Sequence, residues 1–429
     1  MTATANARAT AGLAGIVEDL LGRELPIAVE CFDGTRTGPP DAPTKLVVRS
    51  TDALRRILTA PGELGFGRAY VAGDLDVEGD IYAALELRKH LPTVRLTAAQ
   101  WGALARLVGT AGVRPLPPPS EEARLGGRRH TKGRDAAAIA HHYDVSNDFY
   151  RLVLGPSMTY SCAVWPAPDT TLDQAQAAKY ELIARKLDLR PGQRLLDVGC
   201  GWGGMAMHAA RHHGVEAVGV TVSSRQVEWA RRAVAEAGLA DRVDIRLQDY
   251  REIADGPYDA ISSIGMFEHV GAARLDEYFA RLYGLLRPGG RLLNHGIARR
   301  PGPRARFSRH GFIDRYVFPD GELHEIGSVV SRIQAAGFEV RHVESLREHY
   351  ERTLRAWVDN LERSWDEAVA LVGPGRARVW RLYMAASAVG FGDGGTEVHQ
   401  ALAVRSQEGR SGMPPRPTWD CDALVPGPS

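Results

Sequence analysis

The sequence predicts an α/β protein whose largest domain is built on a doubly wound parallel sheet. One observation is the apolar run Leu195–Val198, which leads into a glycine-rich turn and then into a helix-forming segment. Turn glycines and the free N–H groups at the start of a helix are typical of a nucleotide site. The other is the alternation of strand-like and helix-like segments from residue 194 to residue 297, which indicates repeated βαβ units.

The elements of this sheet follow one another closely along the chain. Strands are predicted at residues 194–198, 216–221, 243–248, 258–264 and 291–297, and helices at 203–212, 224–237 and 274–286. An amphipathic helix at 172–187 precedes the first strand. Because ligands of doubly wound sheets bind outside the carboxyl ends of the strands, the residues after each strand are the candidates for a site.

The N-terminal part of the chain predicts a smaller α+β domain, with helices at 13–21 and 52–58 and strands at 27–32 and 45–49. The proline-rich stretch 115–119 and the charged run 121–134 predict a stiff, solvated linker. The predicted organisation is therefore an N-terminal domain at 13–110, a linker at 111–138, a main domain at 139–410 and a C-terminal tail at 411–429.

The composition is that of a soluble globular protein. Of the 429 residues, 44% are hydrophobic and 24% charged, and the net charge of +1 argues against a nucleic-acid partner. The four cysteines form no C-x-x-C pair, which argues against a disulfide framework or a zinc site and favours the reducing cytoplasm. The sequence shows no signal peptide and no apolar run long enough to span a membrane.

The strand ends carry the candidates for a cofactor site. In the first turn, Asp197, Gly199 and Gly201 are spaced more tightly than in the dinucleotide fingerprint, and the spacing resembles motif I of the class I S-adenosylmethionine (SAM) methyltransferases. The candidates at the other strand ends are Thr221, Ser223, Gln226, Gln248, Asp249 and Ile264.

Each of these strand ends has a proposed partner on the cofactor. Gln226 stands in for the acidic residue that binds the ribose hydroxyls in many such enzymes, whereas Ser223 is equally well an N-cap. Asp249, helped by Gln248, would accept from the adenine amino group, although a solvated turn explains it too. Ile264 would cover the adenine or the ribose.

Further motifs resemble the cyclopropane-fatty-acyl-phospholipid synthases, from about residue 140 to residue 405. They are Cys200-Gly-Trp-Gly-Gly, Gly219-Val-Thr-Val-Ser, Gln248-Asp-Tyr-Arg, Gly265-Met-Phe-Glu-His-Val-Gly, His142-Tyr-Asp-Val-Ser-Asn-Asp-Phe-Tyr, Met158-Thr-Tyr-Ser-Cys and Tyr316-Val-Phe-Pro-Asp-Gly. The resemblance implies a class I SAM-methyltransferase, Rossmann-like sheet with a helical lipid-binding insertion. It also implies further cofactor contacts from before the sheet, at Tyr143, Ser146, Tyr160 and Ser161.

Members of this family use SAM on cis-unsaturated acyl chains, so the resemblance implies methyl transfer to a double bond through a carbocation. Such a cation requires a dry pocket, aromatic faces and a base that takes a proton. A bare carboxylate is costly to keep ionised in an apolar pocket, and the resemblance implies bicarbonate as the base. Its holders would be Cys162, Glu268, His295 and Tyr350, with the backbone of Ile297 beside them.

Each of these holders also has an ordinary structural interpretation. Cys162 would serve as a small buried hydrophobe, Glu268 as a helix cap and His295 as a hydrogen-bonded core residue. Tyr350 would pack on a helix face. The chain departs from the family pattern at Gly296, where a threonine hydroxyl is common, and in the segment 390–395.

Substrate access is expected through a helical insertion at residues 298–335. Its basic and aromatic side chains suit an anionic membrane surface, and they suit a solvated loop equally well. They are Arg299, Arg300, Arg304, Arg306, Arg309, Phe312, Tyr316, Val317 and Phe318. Aromatic residues on later helices either line an acyl channel or fill the core, namely Trp357, Trp365, Trp380 and Tyr383.

The leading interpretation is a cytoplasmic enzyme, associated with the inner face of the membrane, that forms cyclopropane rings on unsaturated phospholipid acyl chains. The nearest alternative shares the first step and differs in the proton lost, giving 10-methylene or methyl-branched chains of the tuberculostearic type. A methyltransferase of small natural products and a non-catalytic lipid-binding module are the remaining hypotheses. The resemblance also implies a homodimer whose N-terminal domain helps to present lipid.

Overall fold

The computed structural model describes residues 12–21, 25–90, 102, 114–123, 146–302, 311–319 and 321–419. The chain divides into two compact units, of which the first comprises residues 1–123, 306–317 and 365–389. The second comprises residues 124–305, 318–364 and 390–429. The break after Ala123 lies within the predicted linker. The two later segments of the first unit lie within the range predicted for the main domain. They belong to the first unit because they pack with it, although they come later in the chain.

The first unit is built on a four-stranded sheet. Its strands are β1 (Ala28–Cys31), β2 (Arg36–Thr37), β3 (Lys45–Val48) and β4 (Leu75–Glu78), in the order β2-β1-β3-β4. β1 and β3 are parallel, and the other two pairs are antiparallel. Alternate residues of β1 and β3 are buried, so one face of this sheet packs on the core. Helices of this unit are Leu13–Leu21, Thr51–Thr59, Glu63–Val71, Ile81–His90 and Phe312–Tyr316.

The described part of the predicted linker, residues 114–123, is tied into the first unit at Glu122. This side chain is 5% exposed, and Arg68 donates to its two carboxylate oxygens at 2.8 Å each. Tyr316 donates its hydroxyl to the same carboxylate at 3.2 Å. The expectation of a solvated linker is therefore wrong at Glu122, because a bidentate arginine partner makes burial of the carboxylate tolerable.

The second unit is built on a seven-stranded sheet. Its strands are β5 (Arg194–Val198), β6 (Glu216–Thr221), β7 (Val243–Leu247), β8 (Tyr258–Ile264), β9 (Leu286–Arg299), β10 (Glu339–Ser345) and β11 (Thr396–Val404). The strand order is β10-β11-β9-β8-β5-β6-β7. The five strands from β9 to β7 are parallel to their neighbours, and β11 and β10 pair antiparallel. The prediction of an α/β Rossmann-like fold is confirmed.

Helices surround this sheet, and most match the predicted periodic segments. They are Asn147–Leu154, Leu172–Leu187, Gly204–His213, Ser224–Glu236, Leu275–Leu285, Ile326–Ala335 and Arg347–Arg363. A long helix, Trp365–Gly392, belongs to the first unit over residues 365–389 and is interrupted at Gly373, where φ is +78° and a proline follows. The helix Leu172–Leu187 begins at a capping box made by Thr171 and Gln174, which fixes where its buried face starts.

The central strand β9 is longer than predicted, and neither β10 nor β11 is predicted from the sequence. The helix Leu275–Leu285 passes directly into β9 at Leu286, whose backbone is extended. β10 and β11 come from parts of the chain that are distant from β9 in sequence, so no local sequence pattern predicts that β11 pairs with β9 and β10 with β11. In the part of the chain that the structure describes, no helix is both long and apolar enough to cross a membrane.

Candidate active site

The glycine-rich turn after β5 opens a cavity at the carboxyl edge of the sheet. Gly199 and Gly201 adopt φ values of +76° and +56°, which only glycine adopts readily. The N–H groups of Gly199 and Cys200 both donate to the carbonyl of Val220 at the end of β6, at 2.9 and 3.0 Å. These bonds pin the turn against the neighbouring strand and leave the N-terminus of the helix Gly204–His213 at the cavity.

Ten of the predicted cofactor residues line this one cavity, as the strand-end rule requires. They are Tyr160, Ser161, Asp197, Gly199, Gly201, Thr221, Gln226, Gln248, Asp249 and Ile264. Ser146 and Ser223 are not among the described residues that line it, and both act as N-caps, accepting from Phe149 and Gln226 N–H groups. Tyr143 lies outside the described residues. The individual cofactor contacts stay predictions.

Two of these side chains already have partners that bear on their proposed roles. The carboxylate of Asp249 accepts from both Nε and Nη2 of Arg251, so it reaches the cavity as half of an ion pair. Gln226 accepts from the Thr221 hydroxyl through Oε1 at 2.8 Å. That bond orients the amide and leaves its NH2 group as the end that can donate to a ribose oxygen.

Asp197 forms the floor of the cavity. It is 2% exposed and accepts from the Ser262 hydroxyl at 2.7 Å. Burial raises the pKa of Asp197 to about 6, and the hydrogen bond from Ser262 opposes that rise. Because burial disfavours the ionised form of Asp197, a cationic ligand in the cavity would stabilise that form.

Lys179 is a cavity residue that sequence reasoning missed. Its amine is fully buried and donates to the Ser161 hydroxyl at 2.9 Å. Burial lowers the pKa of Lys179 to about 7. A signal was present in the predicted helix, since Ala175, Lys179, Leu182 and Lys186 are spaced i, i+4, i+7 and i+11. That spacing places both lysines on the apolar face, where an unpaired lysine is not expected.

Glu268 is hydrogen-bonded to β9 at the point where β9 extends past the end of β8. β8 ends at Ile264, and the N–H of Gly265 donates to the carbonyl of His295 at 2.8 Å. The next N–H on that edge of β9, from Ile297, lies beyond the end of β8 and donates to Glu268 Oε1 at 2.7 Å. Glu268 Oε2 is buried and has no hydrogen-bond partner among the described residues. Burial raises the pKa of Glu268 to about 7.

His295 lies on the same strand, with one ring nitrogen satisfied and the other not. Nδ1 is 3.1 Å from Gln400 Nε2, and Nε2 is buried without a partner in the described parts of the chain. Burial, with the positive charges of Lys179 and Lys186, lowers the pKa of His295 to about 3. The ring is therefore neutral at physiological pH.

Cys162 and Tyr350 meet at the start of the helix Arg347–Arg363. The Cys162 thiol and the Tyr350 N–H both donate to the Leu346 carbonyl, at 3.6 and 3.1 Å. The N–H of Leu346 donates to the carbonyl of Val398, which pairs with Ile297 across β11 and β9. The two halves of the predicted base site are thus tied to the same strands. Burial raises the pKa of the Cys162 thiol, so it stays protonated.

Two of the predicted base residues are immediate neighbours of residues that line the cavity. Cys162 follows Ser161, which lines the cavity, and His295 pairs with Ile264, which also lines it. Each of these base residues is thus one position away, along the chain or across the sheet, from a residue of the cofactor cavity.

An aromatic row runs from the glycine-rich turn to the base site. Neighbouring ring centroids are 4.8 Å apart for Trp202 and Tyr150, 5.9 Å for Tyr150 and Tyr160, and 5.2 Å for Tyr160 and Trp357. Trp357 then meets Tyr350 edge to face at 6.1 Å. Of these rings, Tyr160 and Trp202 line the cavity, so they are the ones whose π faces could meet a cationic ligand there.

Gly296 differs from the family pattern for a reason of packing. A Cβ at this position would lie 1.8 Å from Cε1 of Phe267, whose ring is 2% exposed. The ring thus occupies the space that a side chain on Gly296 would need. Phe267 and Glu268 belong to the same short helical turn, Phe267–His269, so the glycine also sets where Glu268 sits.

Gly204 gives a direct test of the cofactor cavity. A Cβ there would lie 2.3 Å from the Tyr180 hydroxyl oxygen, which is 2.8 Å from the Thr159 hydroxyl at the cavity. Gly204→Ala is expected to raise the SAM dissociation constant roughly tenfold, because Tyr180 must move into the cavity. Titration calorimetry measures it. Gly284→Ala, on a helix with open space around it, is the matched control. Equal SAM affinity for Gly204→Ala and wild type would contradict this assignment.

The chain is similar to a known protein family and to several known proteins. The family model described as mycolic acid cyclopropane synthetase matches residues 130–401. A probable fatty acid methyltransferase of Mycobacterium tuberculosis is 47% identical over 406 residues, covering 92% of this chain and 95% of that protein. The tuberculostearic acid methyltransferase UfaA1 of the same organism is 34% identical over 414 residues, covering 92% of each chain.

A solved structure supports the same similarity. Mycolic acid cyclopropane synthase CmaA1, crystallised in complex with SAH and CTAB, is 37% identical and superimposes with a TM-score of 0.60. The match covers 63% of this chain and 98% of that one.

Proposed function

Because this chain belongs to the cyclopropane synthase family of SAM-dependent fatty acid methyltransferases, we propose that it acts on the cis double bond of an unsaturated phospholipid acyl chain and closes a cyclopropane ring there. One observation carries the proposal. Glu268 Oε2 and His295 Nε2 are buried polar atoms without partners among the described residues. Each has a neighbour that lines the cofactor cavity, His269 in the chain for Glu268 and Ile264 across the sheet for His295. Methyl transfer to a hydroxyl or an amine also releases a proton, but to a polar and hydrated site; a carbocation on an acyl chain needs its base buried in a dry, apolar one.

The proposed reaction begins with attack of the alkene on the SAM methyl group. The π electrons form the new carbon–carbon bond, and the electrons of the sulfur–methyl bond return to sulfur. The chain then carries a secondary carbocation, which the faces of Tyr160 and Trp202 would stabilise. Loss of a proton from the added methyl group leaves an electron pair that closes the ring.

We propose that the base is a small anion such as bicarbonate, held at Glu268 and His295. Bicarbonate, when bound, would supply a base of near-neutral strength. Glu268, whose pKa burial raises to about 7, can carry the proton that a hydrogen bond to an anion requires. His295 is neutral, and Cys162 and Tyr350 complete the holders proposed from the family resemblance. These residues exclude water and hold the base where a bare carboxylate would be costly to ionise.

A second product is supported by the match to UfaA1 over 92% of both chains. A hydride shift would move the cation onto the methylated carbon, and proton loss from the methyl group would then leave a 10-methylene chain. A separate reductase, with its own hydride donor, would have to supply the two electrons and two protons that turn the methylene into a methyl branch. Both routes share the first step and every residue described above.

The test is product analysis with purified protein, SAM and vesicles of a phospholipid that carries cis-monounsaturated chains. Released fatty acids are compared by mass spectrometry before and after ozonolysis. We expect a chain heavier by one CH2 that survives ozonolysis, as a cyclopropane does and a methylene does not. Unmodified chains would refute both products and favour a small-molecule substrate. Activity that does not fall when bicarbonate is removed would refute bicarbonate as the base.

The phospholipid substrate places the proposed reaction at the inner face of the cytoplasmic membrane. Arg299 and Arg300, at the end of β9, are the described basic residues of the insertion that precede its aromatic part. Co-sedimentation with anionic vesicles tests this surface association, and light scattering of the purified protein tests the proposed homodimer.

A further inference from the structure

His295 belongs to a buried chain of three polar side chains that joins a helix to two strands. Gln400 on β11 and His295 on β9 are cross-strand partners, and they are 0% and 2% exposed. Lys186, on the helix Leu172–Leu187, is also fully buried. Its amine donates to Gln400 Oε1 at 2.7 Å, and it also pairs with Glu344.

Lys186 fixes the orientation of the Gln400 amide. A lysine ammonium has only donors, so the amide atom that faces it must be the oxygen. The other end of the amide, Nε2, is then the atom that lies 3.1 Å from His295 Nδ1. The rotation that would exchange the two atoms would put the amide NH2 against the ammonium and the amide oxygen against His295.

The amide orientation in turn fixes the proton on His295. An amide NH2 can only donate, so His295 Nδ1 must accept and carries no proton. A neutral imidazole with a bare Nδ1 has its proton on Nε2. That nitrogen is the buried one without a hydrogen-bond partner in the described residues.

We propose that Lys186 and Gln400 are positioning residues that lock His295 as the Nε2–H tautomer, so that His295 donates a hydrogen bond to the anionic base. This inference rests on the proposed function, in which an anion takes the proton. It assigns His295 a role that the family resemblance leaves open. His295 holds the base and does not itself accept the proton, because its one free nitrogen already carries one.

The lowered pKa of His295 agrees with this role, since only a neutral ring leaves Nδ1 bare to accept from the Gln400 amide. The competing interpretation is structural, with the three side chains merely tying β9 and β11 to the helix. Under that interpretation, any side chain of the same shape that keeps the Lys186 contact preserves activity.

Gln400→Glu separates the two interpretations. Glutamate has the shape of glutamine and still accepts from Lys186, but it presents an acceptor to Nδ1 and draws the ring proton to that nitrogen. We expect the rate of lipid modification to fall roughly 10–100-fold, with the SAM dissociation constant unchanged. Gln334→Glu, at an exposed helical position, is the matched control and is expected to retain the wild-type rate.

The tautomer itself is read by long-range proton–nitrogen NMR of protein labelled with ¹⁵N-histidine. His295→Asn identifies the signals of His295 among the 14 histidines. We expect the Nε2–H pattern in wild type and an Nδ1–H or doubly protonated pattern in Gln400→Glu. An Nδ1–H pattern in wild type, or full activity in Gln400→Glu, would overturn the inference.

The NMR readout does not depend on catalysis, so it separates failure of the proposed function from failure of the tautomer inference. If wild type modifies no lipid, the proposed function fails whatever the tautomer is. If Gln400→Glu does not fold, Lys186→Met is the second variant. It releases the amide oxygen, and we expect a mixture of His295 tautomers. A single Nε2–H pattern in Lys186→Met would show that Lys186 does not set the amide.

Discussion

Glu268→Gln is expected to lower the rate of lipid modification by about 10²–10⁴-fold while leaving SAM affinity unchanged. Glutamine keeps an acceptor for the Ile297 N–H, which Glu268 Oε1 now accepts at 2.7 Å. It replaces the buried, titratable Oε2, where the base is proposed to bind, with an amide NH2 that donates hydrogen bonds but can neither take up nor release a proton. Turnover on vesicles and calorimetry with SAM measure the two effects. A variant with unchanged turnover would show that Glu268 has only a structural role.

The same substitution is expected to stabilise the fold at high pH. Burial raises the pKa of Glu268 from 4.5 to about 7, so the folded protein binds this proton more tightly than the unfolded chain does. Stability from this group is therefore lost as pH rises from 4.5 to 7, and the loss is complete above 7. Removing the group returns up to about 3 kcal/mol at pH 8.

The stability prediction is measured by thermal unfolding of wild type and Glu268→Gln at pH 5 and pH 8. The gain in unfolding temperature should be larger at pH 8. Glu228→Gln, whose side chain is 75% exposed, is the control and should shift the unfolding temperature little at either pH. A Glu268→Gln protein that is less stable than wild type at pH 8 would contradict burial as the cause of the raised pKa.

Gly296→Ala is expected to cost both stability and activity. The new Cβ would lie 1.8 Å from the Phe267 ring, which is enclosed in the core and must shift with its backbone. Overpacking of this kind costs about 1–3 kcal/mol. Because Phe267 and Glu268 share one turn, the shift also moves the carboxylate. We expect at least roughly a tenfold loss of turnover, since a misplaced carboxylate needs to raise the activation free energy by only about 1.4 kcal/mol to cause it.

A double variant identifies the cause of that loss. Phe267→Leu in the Gly296→Ala background removes the ring atoms nearest to the new methyl group and should recover part of the stability and turnover. The coupling free energy from the four proteins should be at least about 0.5 kcal/mol. Gly284→Ala is the control for the substitution type and should be neutral or slightly stabilising. Additive effects of Phe267→Leu and Gly296→Ala would rule out the proposed contact.

The sequence is sufficient to predict the parallel part of the sheet and the cofactor edge, because their signals are local. The run Leu195–Val198, the turn glycines and the polar residues after β6 and β7 are each readable within ten residues or so. Because ligands of such sheets bind outside the carboxyl ends of the strands, residues that follow different strands are then predicted to line one cavity. N-caps share this local chemistry, which is why Ser223 was a candidate for the cofactor and in the structure caps a helix.

The rest of the site depends on partners that are distant in sequence. Gln400 contacts His295 across 105 positions of the chain, and it does so only because β11 inserts beside β9. Gln400 does not stand out in its own segment, and Lys186 stands out only as a lysine on the apolar face of its helix. The packing of Phe267 on Gly296 is equally invisible, since a glycine in a strand has many explanations. The base residues themselves were located by family resemblance and not by local pattern.

The most direct measurement uses SAM carrying a trideuterated methyl group, with the wild-type enzyme and cis-unsaturated phospholipid vesicles. If a base removes a proton from the transferred methyl group, the product acyl chain retains two of the three deuterium atoms. Retention of all three in the acyl chain, or label found only outside it, would contradict the central claim that methyl transfer to the alkene is followed by proton loss from that methyl group.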